Sequence, residues 1–222
     1  MYRYAKPTSL TDALALLGDG DWRILAGGTD FYPALGSKPP RHDVLDINGL
    51  AGLRDISATD SHVVIGARTT WTDLLRADLP PAFNGLKQAA REVGSVQIQN
   101  CGTIAGNLCN ASPAADGAPP LLALDAEIEI RSVSGARAVP LAEFILGNRK
   151  TALGKGELVT AIRISRAATA GTSSFLKLGA RRYLVISIAM VAARLVSDAR
   201  GIVIEAAMAV GSCAATAQRL HG

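Results

Sequence analysis

The stretch Asn100–Ala126, NCGTIAGNLCNASPAADGAPPLLALDA, mixes small apolar residues with many side chains that form hydrogen bonds. Thr103, Asn107, Asn110 and Asp116 are among the polar residues in it. A buried polar group without a partner costs about 1 to 3 kcal/mol. These side chains therefore either serve one another as turn and cap residues ahead of the segment PPLLALDA, or together line a site for a polar ligand.

A second glycine-rich segment, AGGTDF, occupies residues 26–31 between the strand-like runs RILA and DVLDI. Gly27 and Gly28 permit a tight turn, and we expect Thr29 or Asp30 to cap a short helix that accepts Pro33 in its first turn. Neither segment has the spacing of a P-loop or of a dinucleotide fingerprint. Two such segments can bind a diphosphate from two sides through backbone N–H groups, which predicts a dinucleotide-like ligand between two subdomains.

The rest of the chain divides into three parts without an internal repeat. The first contains a helical pattern, SLTDALALLG, followed by strand, glycine turn, helix and strand. In the second, the predicted strands HVVIGA, EIEIRSV and ELVTAIRI surround helices near residues 69–75 and 81–93. The third contains SSFLKLG and an antiparallel hairpin made of SIAMVAARLV and IVIEAAMAV.

Composition excludes several classes of protein. Hydrophobic residues make up 49% and charged residues 19%, as in a globular chain. The apolar stretch 183–193 is too short for a membrane helix, and the N-terminus lacks a signal-peptide pattern, so we expect a cytoplasmic protein without membrane contact. Cys101, Cys109 and Cys213 form no metal-binding pattern.

Charge is distributed unevenly along the chain. Residues 1–130 contain 10 Lys and Arg against 15 Asp and Glu, whereas residues 131–222 contain 13 against 4. The basic half suits an anionic ligand or an acidic partner. Aromatic residues are only 5% of the chain and do not interleave with the basic ones, which argues against nucleic-acid binding.

The two glycine-rich motifs carry a family resemblance. ILAGGTDFYPAL, together with VGSVQIQNCGTIAGNLCNASPAADGAPPLLALDA, resembles the FAD-binding medium subunit of the molybdenum hydroxylases, the xanthine dehydrogenase and carbon monoxide dehydrogenase family. GELVTAIRI and SSFLKLGARR extend the match along the chain. The resemblance implies an α+β, two-subdomain FAD-binding fold, with a small α/β subdomain at 1–57 and an antiparallel-sheet subdomain at 58–168. A truncated C-terminal α+β domain at 169–222 would follow.

The resemblance also implies which residues bind FAD. Those expected at the pyrophosphate, with their flanking residues, are Ile24, Leu25, Ala26, Gly27, Gly28, Thr29, Asp30 and Phe31, and Thr103, Ile104, Ala105, Gly106, Asn107, Cys109 and Asn110. Asp116 is assigned to FAD hydroxyls, because a diphosphate would repel its carboxylate. Val159 and Lys177 are expected to reach the cofactor, where a cation beside the flavin ring favours the reduced form. A surface lysine is the alternative for Lys177.

The function implied is electron transfer in a multi-subunit oxidoreductase. Electrons from a molybdopterin-binding large subunit would pass through the [2Fe-2S] clusters of a small subunit to this FAD, and then to NAD+, a quinone or O2. No catalytic or metal-binding residue is assigned to this chain. His42, His62 and His221 are isolated, and no hydrolytic triad is evident. The alternatives are an assembly subunit that keeps the fold without productive FAD binding and, less favoured, a free-standing flavin oxidase.

Three departures from the family pattern bear on these expectations. Cys101 stands where relatives usually have Arg, and Ala105-Gly106 where they have Gly-Gly, which adds a methyl group near the expected phosphate. The chain also ends earlier than the family pattern, so we expect a shortened form of the subunit with exposed apolar hairpin strands.

Overall fold

The computed structural model describes residues 2–220, so Met1, His221 and Gly222 lie outside the described residues. The strands are β1 (Tyr4–Ala5), β2 (Trp22–Leu25), β3 (Asp43–Asp46), β4 (Ile56–Ala58), β5 (His62–Gly66), β6 (Glu127–Ser132), β7 (Gly135–Pro140), β8 (Ile145–Gly147), β9 (Lys150–Thr151), β10 (Leu158–Ser165), β11 (Thr172–Leu178), β12 (Ala189–Ser197), β13 (Val203–Gly211) and β14 (Gln218–Leu220). The α-helices are α1 (Leu10–Gly18), α2 (Phe31–Leu35), α3 (Trp71–Arg76), α4 (Asn84–Glu92), α5 (Val96–Cys101), α6 (Ile104–Asn110), α7 (Ala118–Ala123) and α8 (Leu141–Phe144). Short 3-10 helices occupy Ile47–Gly49, Ala51–Leu53, Pro81–Phe83 and Ala167–Thr169.

A small parallel sheet forms the N-terminal part, with the strand order β1-β3-β2. The helical pattern predicted after residue 9 is confirmed by α1, whose N-terminus is capped by Ser9: its Oγ accepts a hydrogen bond from the backbone N–H of Asp12 at 3.1 Å. Leu14 and Leu17 of this helix are buried against Leu45. Strand, turn, helix and strand therefore form an α/β subdomain, as the sequence predicted.

The second part is built on an antiparallel sheet with the strand order β4-β5-β10-β6-β7. Alternate residues of β6, Ile128 and Ile130, face the interior, as the alternation in EIEIRSV predicted. Helices α3, α4, α6 and α7 contribute to the same core, which contains the fully buried Trp71, Phe83 and Phe144. Trp71, Ala105 and Val159 of this core line the cleft described below.

The third part is an antiparallel sheet with the order β11-β12-β13-β14. The predicted hairpin is confirmed by β12 and β13, which meet at a turn near residues 198–201. One face of the sheet packs through Phe175 and Met190 against Ala89 and Ala123 on α4 and α7. The opposite face leaves large apolar side chains exposed, among them Leu176, Leu178, Val191, Leu195 and Met208.

The structure corrects one local prediction. Asp30 precedes α2, but no side chain caps this five-residue helix. The carboxylate of Asp30 instead accepts a hydrogen bond from Asn110 of the second subdomain, at 2.9 Å. The prediction that Thr29 or Asp30 caps the helix is therefore wrong, because a distant partner competes for the carboxylate. The helix α5 and the β8–β9 hairpin were not predicted.

The residues 26–31, called the first loop below, pack backbone to backbone on the second subdomain. A Cβ atom at Gly27 would lie 2.1 Å from the carbonyl oxygen of Cys101 and 2.9 Å from the Cα of Gly102. Asn48 fixes the start of the loop by donating from Nδ2 to the carbonyl of Ala26 at 2.7 Å. Only glycine at position 27 permits this approach of the two subdomains.

We predict that Gly27→Ala destabilises the chain by about 1 to 3 kcal/mol, the usual cost of overpacking, because the added methyl group must displace the Cys101 peptide. The measurement is the free energy of unfolding in urea. Gly52→Ala is the matched control, since no atom lies within 4 Å of a Cβ built at Gly52. We expect this control to unfold like the parent or slightly later. Equal stability of the two variants would contradict the close packing.

Candidate functional site

A cleft of about 690 Å³ opens between the first loop and the second subdomain. One wall is the first loop with the end of β2. The opposite wall is residues 103–110, called the second motif, which forms α6 and the residue before it. The turn between β8 and β9 contributes Arg149, and Val159 of β10 completes the lining. The cleft therefore lies where the two subdomains meet, as the sequence predicted for a dinucleotide-like ligand.

The first loop presents a run of unused backbone donors. None of the backbone N–H groups from Gly27 to Phe31 donates a hydrogen bond to an acceptor among residues 2–220. Gly28 has a φ of +76°, a left-handed conformation that side chains other than glycine rarely adopt. Successive N–H groups in such a turn form a concave site suited to an anion.

The start of the first loop is tied to the end of β3. Asn48 bonds the carbonyl of Ala26 and also donates from its backbone N–H and from Nδ2 to Asp46 Oδ1, at 2.9 and 2.8 Å. Burial alone would raise the pKa of Asp46, but hydrogen bonds from Tyr4 and Asn48 outweigh it, and the pKa lies below its usual value. Asp46 stays ionised at neutral pH and holds Asn48 against the loop.

The second motif is held from within. Thr103 caps α6, and its Oγ1 accepts from the backbone N–H of Gly106 at 3.0 Å. Asn107 Oδ1 accepts from the backbone N–H of Gly117 at 3.3 Å. A Cβ at Gly117 would lie 2.7 Å from the ring of Trp71, so the segment after α6 packs closely on the core. Part of the polar side chains thus serves as turn and cap residues, the first of the two sequence interpretations.

A chain of polar contacts crosses the mouth of the cleft. Asn110 donates from Nδ2 to Asp30 Oδ1 at 2.9 Å, and its Oδ1 accepts a hydrogen bond from Arg149 Nη1. Arg149 Nη1 also donates to the carbonyl of Asn110 at 3.2 Å. These three residues, called the clasp below, link both walls of the cleft to the β8–β9 turn.

Arg23, Arg149 and Asp30 are the charged residues of the lining that form no ion pair among residues 2–220, so positive charges outnumber negative ones. The acidic Glu157 is paired with Arg137 at 2.7 Å. Burial raises the pKa of the Cys109 thiol to about 12, so this thiol is neutral at pH 7. The lining thus suits an anionic ligand.

Most residues that the sequence assigned to the cofactor come together in this cleft. Those that line it are Ile24, Ala26, Gly27, Gly28, Thr29, Asp30, Phe31, Thr103, Ala105, Gly106, Asn107, Cys109, Asn110 and Val159. Leu25 and Ile104 do not line it and are buried. Asp116 and Lys177 do not line it either.

Asp116 and Lys177 are partners of each other. Lys177 Nζ donates to Asp116 Oδ2 at 2.7 Å, and both side chains are only 7% exposed. Ser187 Oγ donates to the other carboxylate oxygen at 2.6 Å. Lys177 also lines a separate cavity of about 500 Å³, together with Arg91 and Arg181. Lys177 is therefore not a solvent-exposed surface lysine.

Sequence reasoning missed several residues of the lining. The principal ones are Trp22, Arg23, Trp71, Ile98, Leu153 and Arg149. Arg23 is the first residue of the predicted strand RILA and Trp22 directly precedes it, so both could have been included on that ground. Arg149 lies far from both motifs along the chain, and no local signal marks it.

Two further features are absent from the part of the chain that the structure describes. No group of three or more His, Cys, Asp and Glu side chains is placed to hold a metal ion. No helix in the described range is long and apolar enough to cross a membrane.

Comparison with known proteins bears directly on the cleft. Residues 1–166 match the family described as the FAD binding domain in molybdopterin dehydrogenase. The chain is 35% identical over 195 residues to the nicotinate dehydrogenase FAD-subunit of Eubacterium barkeri, covering 84% of this chain and 66% of that protein. It is 38% identical over 162 residues to the xanthine dehydrogenase FAD-binding subunit of Escherichia coli O157:H7, covering 71% of this chain and 56% of that protein.

Among solved structures, a chain of the carbon monoxide dehydrogenase from Hydrogenophaga pseudoflava superposes with a TM-score of 0.87 and 31% identity. The superposition covers 98% of this chain and 77% of that one. The chain spans less than two thirds of the length of the two curated relatives, the nicotinate dehydrogenase and xanthine dehydrogenase subunits. The resemblance seen in the two glycine-rich motifs and the predicted fold class are both confirmed, and the chain belongs to the family of FAD-binding domains of molybdopterin dehydrogenases.

Proposed function

We propose that the cleft binds one FAD, and that the chain is the electron-transfer subunit of a multi-subunit molybdenum hydroxylase. The observation that carries the proposal is the run of free backbone N–H groups from Gly27 to Phe31, residues that line a cleft in which the charges without an ion pair are mostly positive. A diphosphate is the part of FAD that such donors suit. Arg23 lies at the same cleft and adds a positive charge.

The residues of this chain would bind and orient the cofactor. The first loop and the second motif would hold the diphosphate, and Val159, with Ile24 and Phe31, supplies apolar lining for the rest of the molecule. FAD supplies the chemistry, because it accepts and releases two electrons.

Partners and electron flow belong to the same proposal. The relatives named above are FAD subunits of dehydrogenases, which supports a role beside other subunits. We propose that [2Fe-2S] clusters of a small subunit deliver electrons that originate at a molybdopterin-binding large subunit. NAD+, a quinone or O2 would then accept them from FAD. A cytoplasmic location, the domain limits 1–57, 58–168 and 169–222, and the assignment of individual FAD-binding residues are proposed on the same basis.

One observation favours the alternative of an assembly subunit without productive FAD binding. Asp116 and Lys177, both assigned to the cofactor, are paired with each other and lie outside the lining of the cleft. A chain that only docks partners could keep this buried pair as a structural element. FAD binding by the purified chain decides between the two functions.

We predict that FAD stabilises the chain against unfolding. At a free FAD concentration of about 100 times the dissociation constant, the free energy of unfolding should rise by roughly 2.7 kcal/mol. In Gly106→Val the rise should vanish, because the new side chain enters the cleft, where even a Cβ atom would lie 2.6 Å from Thr103 Oγ1. Urea unfolding with and without FAD measures both effects.

Gly52→Val is the control for this experiment, since Gly52 lies outside the cleft and its Cβ would meet no atom within 4 Å. We expect it to retain the full stabilisation by FAD. If the parent chain gains no stability from FAD, the proposed cofactor is wrong. If Gly106→Val gains as much as the parent, FAD binds elsewhere on the chain.

A second prediction concerns the buried pair. Lys177→Met should destabilise the FAD-free chain by about 3 to 5 kcal/mol, because the Asp116 carboxylate is then buried without its cation. The double variant Asp116→Asn with Lys177→Met should lose much less than the sum of the single changes, as expected for groups in direct contact. Urea unfolding of the parent and the three variants measures the coupling.

The double variant also tests the assignment of the pair to FAD, because it keeps the net charge of the site. Loss of FAD affinity in a stably folded double variant would support a contact with the cofactor. Unchanged FAD affinity would leave the pair with a structural role only. Independent, additive effects on stability would contradict the pairing itself.

A further inference from the structure

Arg149 is held in an unusual backbone position beside the second motif. Its φ is +58°, a left-handed conformation that non-glycine residues seldom adopt. Its backbone N–H donates to the carbonyl of Ala111 at 2.8 Å, directly after the end of α6. The guanidinium group then contacts Asn110 through Nη1 alone, at its carbonyl and its side-chain oxygen. Backbone and side chain together fix the group at the mouth of the cleft.

The remaining donors of Arg149 are unused. Nε and Nη2 donate to no described residue, and no carboxylate in the described chain pairs with the group. This edge of a guanidinium carries parallel N–H groups that match two oxygens of a phosphate. An arginine that is anchored through one nitrogen and open at the other edge is prepared to bind an anion.

Asn110 is suited to hold this arginine. Its amide oxygen accepts from Arg149 while its amide nitrogen donates to Asp30. The opposite orientation of the amide would place two donors together at Arg149 and two acceptors together at Asp30, so the contacts themselves fix it. Asn110 also donates a hydrogen bond to Oδ1 of the Asp30 carboxylate, which lines the same cleft.

We propose that Arg149, positioned by Asn110, binds the diphosphate of the dinucleotide from the side opposite the backbone donors of the first loop. This inference rests on the proposed binding of FAD in the cleft. The clasp would thus have a role in ligand recognition as well as the structural role of Arg149 at the end of α6. The ligand class is a nucleoside diphosphate moiety.

The test uses the full chain and three ligands: FAD, ADP and riboflavin. Flavin fluorescence measures binding of FAD and riboflavin, and competition with FAD measures binding of ADP. A hydrogen bond to a charged group contributes about 1.5 to 3 kcal/mol to binding. Arg149→Met should therefore lower the affinity of the chain for FAD and for ADP by about ten- to more than a hundredfold. Riboflavin, which lacks the diphosphate, should bind as it does to the parent.

Arg200→Met is the matched control. Arg200 lies on the exposed turn between β12 and β13 and pairs with Asp198 at 3.1 Å, outside the cleft. This variant should bind all three ligands like the parent. Arg149→Lys provides a second test, because it keeps the charge and loses the paired N–H groups. We expect Arg149→Lys to weaken FAD and ADP less than Arg149→Met does.

Melting of the FAD-free variants separates recognition from structure. If Arg149 only supports α6, Arg149→Met lowers the melting temperature and weakens riboflavin as much as FAD, which would overturn the inference. Unchanged affinity for FAD in both Arg149 variants would also overturn it. If the parent binds riboflavin and FAD with equal affinity and does not bind ADP, the cleft does not bind the diphosphate. The inference about Arg149 then fails, while the proposal that the cleft binds a flavin stands. If the parent binds no flavin, the proposed function fails with it.

Asn110→Asp tests the positioning role. An aspartate at position 110 still accepts a hydrogen bond from Arg149, but its carboxylate neutralises the positive charge of the guanidinium group. It also cannot donate a hydrogen bond to Asp30. We expect weaker binding of FAD and ADP, with riboflavin unchanged. Parent-like affinity for FAD and ADP would show that Asn110 does not position Arg149 for the ligand.

Discussion

The close backbone contact between Gly27 and the Cys101–Gly102 peptide is the constraint on which the cleft depends. Because a Cβ at position 27 would lie 2.1 Å from a carbonyl oxygen, the two subdomains meet at a distance that only glycine allows. The opposite side of this contact is fixed as well. The backbone N–H of Gly102 donates to the carbonyl of Ile98 at 2.7 Å, and the carbonyl of Gly102 accepts from the backbone N–H of Trp71 at 3.2 Å. The fully buried Trp71 therefore helps to hold Gly102 in place. The width of the cleft follows from this contact.

Much of the fold and of the cleft could be predicted from local sequence, since each signal acts over a few residues. The alternation in EIEIRSV predicted which side of β6 is buried, and the glycine-rich motifs predicted two walls of one site. Contacts between distant residues could not be predicted in this way. Asp30 failed as a cap because Asn110, remote along the chain, competes for its carboxylate. Arg149 was missed for the same reason, since only the folded β8–β9 turn brings it to α6.

Pairing, rather than the net charge of each half of the chain, determines the charge of the cleft. Residues 1–130 carry an excess of acidic side chains, but several of their carboxylates are engaged: Asp43 with Arg3, Asp73 with Arg54 and Asp46 with Asn48. Exposed pairs such as Arg3–Asp43 contribute little to stability. In the lining of the cleft, Glu157 is paired with Arg137, whereas Arg23, Arg149 and Asp30 form no ion pair among the described residues, which leaves an excess of positive charge.

The pairing of Asp116 with Lys177 is compatible with a later contact between Lys177 and a ligand. An ammonium group has three N–H donors, and Asp116 is the one hydrogen-bond acceptor that Lys177 Nζ has among the described residues. Two donors therefore remain, and the group lines a cavity beside Phe175 and Gly179. Breaking the pair would leave a buried carboxylate without its cation, which is costly. A ligand that reached Lys177 would therefore bind the pair as a unit, with Asp116 keeping the ammonium in place and Ser187 satisfying the second carboxylate oxygen.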